Sequence, residues 1–161
     1  MKTKYIDPFI RASYDVLSEI LKIKSSDIVL ENVRVGDEKI ELDDMAVIIG
    51  LVGSLTGRII LYTKKETAVK IASVMNGEKL KELSELTKST IAELANLIIS
   101  KAITCLNDDG IKLYITPPAM ITGESIMIMG DENLYTFIIP ITLPYGNINL
   151  HISYKVENEK F

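Results

Sequence analysis

An α+β fold, with an antiparallel sheet and helices packed on one side of it, is what this 161-residue sequence predicts. Three observations carry the prediction. A proline-led helical pattern, "DPFIRASYDVLSEIL", opens the chain, and a β-branched stretch punctuated by glycine, "MAVIIGLVGSLTGRIILYT", follows it. Two further helical patterns then give way, beyond Gly110, to alternating segments separated by turn residues. The order is therefore helix, hairpin, two helices and a run of locally paired strands, which is α+β rather than a parallel α/β arrangement. The length suits one domain over residues 1–161 with a single core.

In the first helix Asp7 is placed to cap and Pro8 to sit at the first helical position. Phe9, Ala12, Val16, Leu17 and Ile20 recur at helical spacing and should face the core, with the end near Lys22. "DIVLENVRV" reads as strand, and "KIELDD" after Gly36 as a turn or weak strand. Met45 to Val52 and Gly57 to Thr63 read as an antiparallel hairpin joined by "GSLT". Gly50, Gly53 and Gly57 do not form a phosphate loop, because they precede a strand and no Lys-Ser/Thr pair follows. They are turn and bulge residues. A second helix is predicted from Lys65 to Asn76, with Ala68, Ile71, Ala72 and Met75 inward and Gly77 as its stop. The third runs from about Ser84 to Asn107, and Asp108 and Asp109 are assigned to the exit turn on dipole grounds. "IKLYIT", "SIMIM", "LYTFIIPIT" and "NINLHISYKV" are then strands, separated by "PPAMITGE", "GDEN" and "PYGN".

Composition narrows the function. A net charge of −4 and no lysine- or arginine-rich cluster beside aromatic residues argue against a nucleic-acid partner. No segment approaches the roughly 20 apolar residues of a membrane span. The opening "MKTKYIDPFIRAS" lacks the apolar run of a signal peptide. Cys105 is the only cysteine, which points to a reducing compartment, so the protein is expected in the cytoplasm. His151, the only histidine, falls on the polar side of an alternating strand and is expected to face solvent. One histidine and one cysteine are poor material for a nucleophile–base pair or a metal cluster.

The informative stretch is "STIAELAN", residues 89–96. Ser89, Glu93 and Asn96 stand four and then three places apart, which stacks them along one helix face within an arc of about 60°. Glu85 and Ser100 extend the row, while Ile91, Leu94, Ala95, Ile98 and Ala102 take the opposite side. The pattern alone leaves two readings, an ordinary solvated face or a surface pressed against a partner. Asparagine is a poor choice in mid-helix, and the row carries no lysine to mix its charges. One carboxylate and one carboxamide provide no nucleophile with a base, and no second acid for glycoside chemistry. They can hold a cation and orient a water, which suffices where positioning does most of the catalytic work.

At these residues the sequence resembles the CheC/CheX/FliY family of chemotaxis phosphatases, whose signature of Asp or Ser, three residues, Glu, two residues, Asn matches "STIAELAN" position for position. "YIDPFIRASYDVLSEI" is similar to the family's opening helix, and "AVIIGLVGSLTGRIILYT" to its first hairpin. The first helix carries no copy of the signature, so the resemblance is to the single-site CheX branch. It implies a CheC/CheX-like fold and a phosphatase for the phosphorylated response regulator CheY. Glu93 would pair with the regulator's active-site lysine. Asn96 would orient the hydrolytic water, and Ser89 would support the contact. It implies no cofactor of the chain's own, the Mg²⁺ belonging to the partner receiver. It also implies a homodimer joined through its sheets, for which the long late strands "LYTFIIPIT" and "NINLHISYKV" could supply a pairing edge. The competing reading is a noncatalytic CheX-like adaptor that docks a receiver without hydrolysing it. A purely structural domain with a merely wet row is the third.

Overall fold

The computed structural model describes residues 2–36, 39–130 and 133–157. Besides two short 3-10 turns, it contains helices α1 (Asp7–Ile20), α2 (Lys65–Asn76) and α3 (Glu85–Asp108). The strands are β1 (Val29–Leu30), β2 (Arg34–Val35), β3 (Lys39–Gly53), β4 (Leu55–Thr63), β5 (Leu113–Ile115), β6 (Ala119–Met129), β7 (Tyr135–Leu143) and β8 (Gly146–Val156). They form one antiparallel sheet in the order β1-β7-β8-β4-β3-β5, with β2 also on β7 and β6 also on β3.

Helices and sheet meet because each presents one apolar side. Met45, Val47, Ile49 and Leu51 of β3, Ile59 and Leu61 of β4 and Ile148, Leu150, Ile152 and Tyr154 of β8 all point one way, at strand period two. They share a core with Phe9, Ala12, Val16 and Leu17 of α1, Ala68 and Ile71 of α2, and Ile91, Leu94, Ala95, Ile98 and Ala102 of α3. α3 is long and apolar enough to cross a membrane by composition, but half of its most apolar window is buried inside the fold.

Ile6 is the cap position of α1 and makes no side-chain cap bond, so Asp7 is not a cap but an acid in the first turn, where the helix dipole favours it. The helix closes at Ile20, two residues short of the expected end, and Lys22 is left-handed at φ 54°. α2 has the predicted bounds, closed by Gly77 at φ 65°. α3 extends one residue past the expected end, so Asp108 is helical and only Asp109 belongs to the exit.

The larger differences lie in the strands. "DIVLENVRV" contributes only the two-residue β1 and β2. "KIELDD" is part of the 15-residue β3, and "AMITGE", expected as a separator, belongs to β6, which pairs with it. The β3–β6 ladder shifts register between Leu42 and Asp44, and Asp44 adopts φ 75°. Beyond that irregularity Ile40, Leu42 and Ile128 bury themselves in a second cluster with Ala46 and Ile60, on the face opposite the helices. Arg58 in β4 donates a 2.6 Å hydrogen bond from Nη2 to the Met129 carbonyl, tying the end of β6 across that face.

This second layer corrects the expectation for His151, which is 2% exposed rather than solvated; Ser153 on the same face is 3% exposed. The alternation along β8 is real, but the side away from the helices is not open to water. His151 stands in register with Ile60 of the second cluster, and its Nδ1 lies 3.4 Å from the Ser153 hydroxyl. On the same face burial pushes the Tyr62 phenol above its usual pKa, while the charge of Arg34 works in the opposite sense.

β7 and β8 do not supply a free edge: β8 lies between β4 and β7, and β1 and β2 take the outer side of β7. Among the described residues the long strand paired on one side only is β6. Of the hairpin glycines, Gly57 is the most constrained, since a Cβ there would run into the Ser153 carbonyl of neighbouring β8. Gly57→Ala is expected to lower stability by about 1–3 kcal/mol in urea unfolding, because backbone, not a yielding side chain, must move. An unchanged midpoint would show that the two strands approach less closely.

Candidate functional site

The polar row is built on α3, which has a side-chain cap at its start and a buried face along its length. Ser84 caps α3, accepting from the Thr87 backbone N–H at 3.3 Å, and Thr87 donates its hydroxyl to the Glu82 carbonyl at 2.8 Å. Behind the row, Leu94, Ala95, Ile98 and Ala102 have no exposed surface. α1 runs antiparallel beside α3: Asp15 meets Lys101 at 3.4 Å, and Arg11 reaches Cys105 four residues further along.

Ser89 and Glu93 are exposed on this support, and Asn96 is half-buried. Glu93 and Asn96 are separated by about 4.5 Å of helix rise. Glu85 extends the row and pairs with Lys88 at 3.4 Å, an exposed contact of little energetic weight. Ser100, at the other end, is half-buried. All three residues singled out from the sequence therefore share one outward stripe.

Their hydrogen bonding separates them. The Ser89 hydroxyl donates to the Leu86 carbonyl at 3.1 Å, so it is already engaged within its own helix. Among the described residues Glu93 and Asn96 have no side-chain hydrogen bond or ion pair. A carboxylate and a carboxamide thus stand one turn apart, held by a rigid helix and unused by the fold. They can accept from a cation and position a water. They cannot supply a nucleophile. Among the described residues no group of three His, Cys, Asp or Glu side chains is placed to hold a metal ion.

One flank of the row has no counterpart in the sequence reading. Asn76, at the end of α2, donates from Nδ2 to the Thr90 hydroxyl and to the Ala72 carbonyl, both at 2.8 Å. Thr90 in turn donates to the Leu86 carbonyl at 2.7 Å. Met75, Asn76, Ser89, Thr90 and Glu93 line a shallow notch of about 270 Å³. Met75 packs against the core, as its inward position predicted, but it is half-buried and also borders this notch. Only the tertiary meeting of α2 with α3 brings it beside Glu93, and no local signal marks that.

Residues 45–142 match the sequence profile of a family described as chemotaxis phosphatase CheX, and the whole polar row lies inside that span. The chain is 31% identical over 117 residues to the CheY-P phosphatase CheX of Thermotoga maritima, covering 69% of this chain and 72% of that protein. Its fold is similar to that of a chain in the crystal structure of the CheX-CheY-BeF3-Mg²⁺ complex from Borrelia burgdorferi, with a TM-score of 0.81 and 29% identity over 94% of this chain and 97% of that one. A CheC-like superfamily protein from Shewanella sp. PV-4 shares the fold at a TM-score of 0.86 and 21% identity, covering 96% of this chain and 99% of that one.

Proposed function

The chain belongs to the CheX family of chemotaxis phosphatases, and on that premise we propose that Asn96 and Glu93 are the working residues of a phosphatase for a phosphorylated CheY-type response regulator. The observation that carries the assignment is the pair of unengaged side chains on α3, beside a serine and a threonine already bonded to the Leu86 carbonyl. An adaptor needs only a sticky surface. A carboxamide left free one turn from a free carboxylate is what water positioning needs.

In this reading the partner brings the acyl phosphate, the Mg²⁺ and a lysine close to the phosphoryl group. Glu93 pairs with that lysine and fixes the distance between the two proteins. The Asn96 carboxamide enters beside the phosphorus, accepts from a water O–H at Oδ1, and turns the water's lone pair toward the phosphorus. The water oxygen forms the new P–O bond as the bond to the aspartyl carboxylate breaks, and inorganic phosphate leaves with the water's protons on its oxygens. The carboxamide takes no proton; its contribution is orientation, which intramolecular chemistry shows to be large. Ser89 holds the helix turn that presents Glu93. No cofactor of the chain's own is needed, and the partner sets the place of action in the cytoplasm.

A homodimer joined through β6 is part of the same reading, because an unpaired strand of 11 residues is a ready pairing edge. The assignment is tested by adding the chain in catalytic amounts to phosphorylated receivers with Mg²⁺ and following phosphate release. Acceleration with turnover is expected. Tight binding of a phosphorylated receiver without acceleration would replace the enzyme by the adaptor.

A further inference from the structure

Resting on that reading, we propose that the notch between the end of α2 and the first turns of α3 is a lysine slot: Met75 carries the methylene stem of the partner lysine whose ammonium meets Glu93. The argument starts from what Glu93 lacks. An exposed ion pair contributes little by itself, since two solvated long side chains gain modest Coulomb energy and lose rotamer freedom. A lysine becomes a stronger anchor when its stem lies on apolar surface while its head stays wet. Met75 offers that surface at the rim where Glu93 offers the charge.

The notch has no hydrogen left to donate, so it favours a ligand that donates. The Ser89 and Thr90 hydroxyls both donate to the Leu86 carbonyl, and the Asn76 amide hydrogens go to Thr90 and Ala72. What is left to recognise a partner is one thioether side chain, one carboxylate and acceptor oxygens on Ser89 and Asn76, which together match one aliphatic cation. The slot is also built in advance. Gly77 ends α2 in the left-handed conformation, Ser73 accepts from the Leu80 backbone N–H at 2.9 Å, and Asn76 fastens the helix end to Thr90. A flexible methionine on a fixed rim adapts to a stem without a loss of order elsewhere. Asn76 is accordingly a positioning residue, and the α2 end adds affinity to what Glu93 supplies from α3.

The test is steady-state phosphate release from a phosphorylated receiver by Met75→Ser, Met75→Gln and Met75→Leu, with Glu93→Lys alongside. Met75→Ser and Met75→Gln are expected to raise KM about fivefold, with kcat within twofold of the parent; Met75→Leu should keep the parent KM. The effect should vanish when Met75→Ser is combined with Glu93→Lys, which leaves no lysine in the slot. If Glu93→Lys raises KM and the Met75 variants do not, the slot is wrong and the phosphatase site stands. If Glu93→Lys leaves KM unchanged as well, both fall together.

Discussion

Asn96→Ala is expected to reduce the maximal rate of receiver dephosphorylation by about 100-fold or more, the loss that follows when a reacting group is no longer held in line. The helix itself should not suffer. Ala95 and Leu94 behind the position are fully buried and unchanged, and alanine is a better mid-helix residue than asparagine. Thermal unfolding should therefore match or slightly exceed that of the parent. Asn96 makes no bond within the described fold, so nothing is left unsatisfied when it goes. A lost rate with intact stability and intact docking separates water orientation from every structural role. A variant that is slow because it is less folded would point elsewhere.

Glu93→Lys is the second large effect, and it falls on binding. Removing the carboxylate alone, as in Glu93→Ala, should weaken the complex only severalfold, because the pair is solvent-exposed. Reversing the charge sets cation against cation at close range, which costs several kcal/mol and should weaken affinity by about 100-fold or more. The penalty should shrink as salt is raised, since the Debye length falls to about 8 Å at physiological ionic strength. Titration of labelled receiver carrying beryllofluoride in place of the acyl phosphate measures this directly. Equal affinity of parent and Glu93→Lys at low salt would remove Glu93 from the interface.

The helices and the polar row were legible because their signals are local. Lys65–Asn76 has the predicted bounds since Gly77 ends α2 sharply, and Ser84 opens α3 with a side-chain cap. Once α3 is a helix, the spacing of Ser89, Glu93 and Asn96 decides which way they face. The sheet was less legible. "KIELDD" and "AMITGE" look like turn sequence, with acids, glycine and two nearby prolines, and each becomes strand only by distant pairing: Lys39 to Leu42 lie against Met129 to Ile126, and Ala119 to Gly123 against Ile48 to Asp44. That ladder, with Asp44 at positive φ, builds the layer under which His151 is buried. β-strand propensity is a statement about neighbours, and these neighbours are about 80 positions apart in register. Met75 packs on the core as expected, but its place beside Glu93 escaped for the same reason: that company is decided by how α2 lies on α3. The edge was misplaced because length alone suggested β7 and β8, whereas pairing assigns it to β6.

The central claim is that one carboxamide on α3 aims water at another protein's acyl phosphate, and a single-turnover titration tests it most directly. Phosphorylated receiver with Mg²⁺ is mixed with increasing excess of the parent or of Asn96→Ala, and its decay is followed to saturation. Both proteins should saturate at similar concentrations, with the parent accelerating decay and the saturated variant leaving the receiver close to its own spontaneous rate. A saturated Asn96→Ala complex that decays as fast as the parent's would contradict the claim.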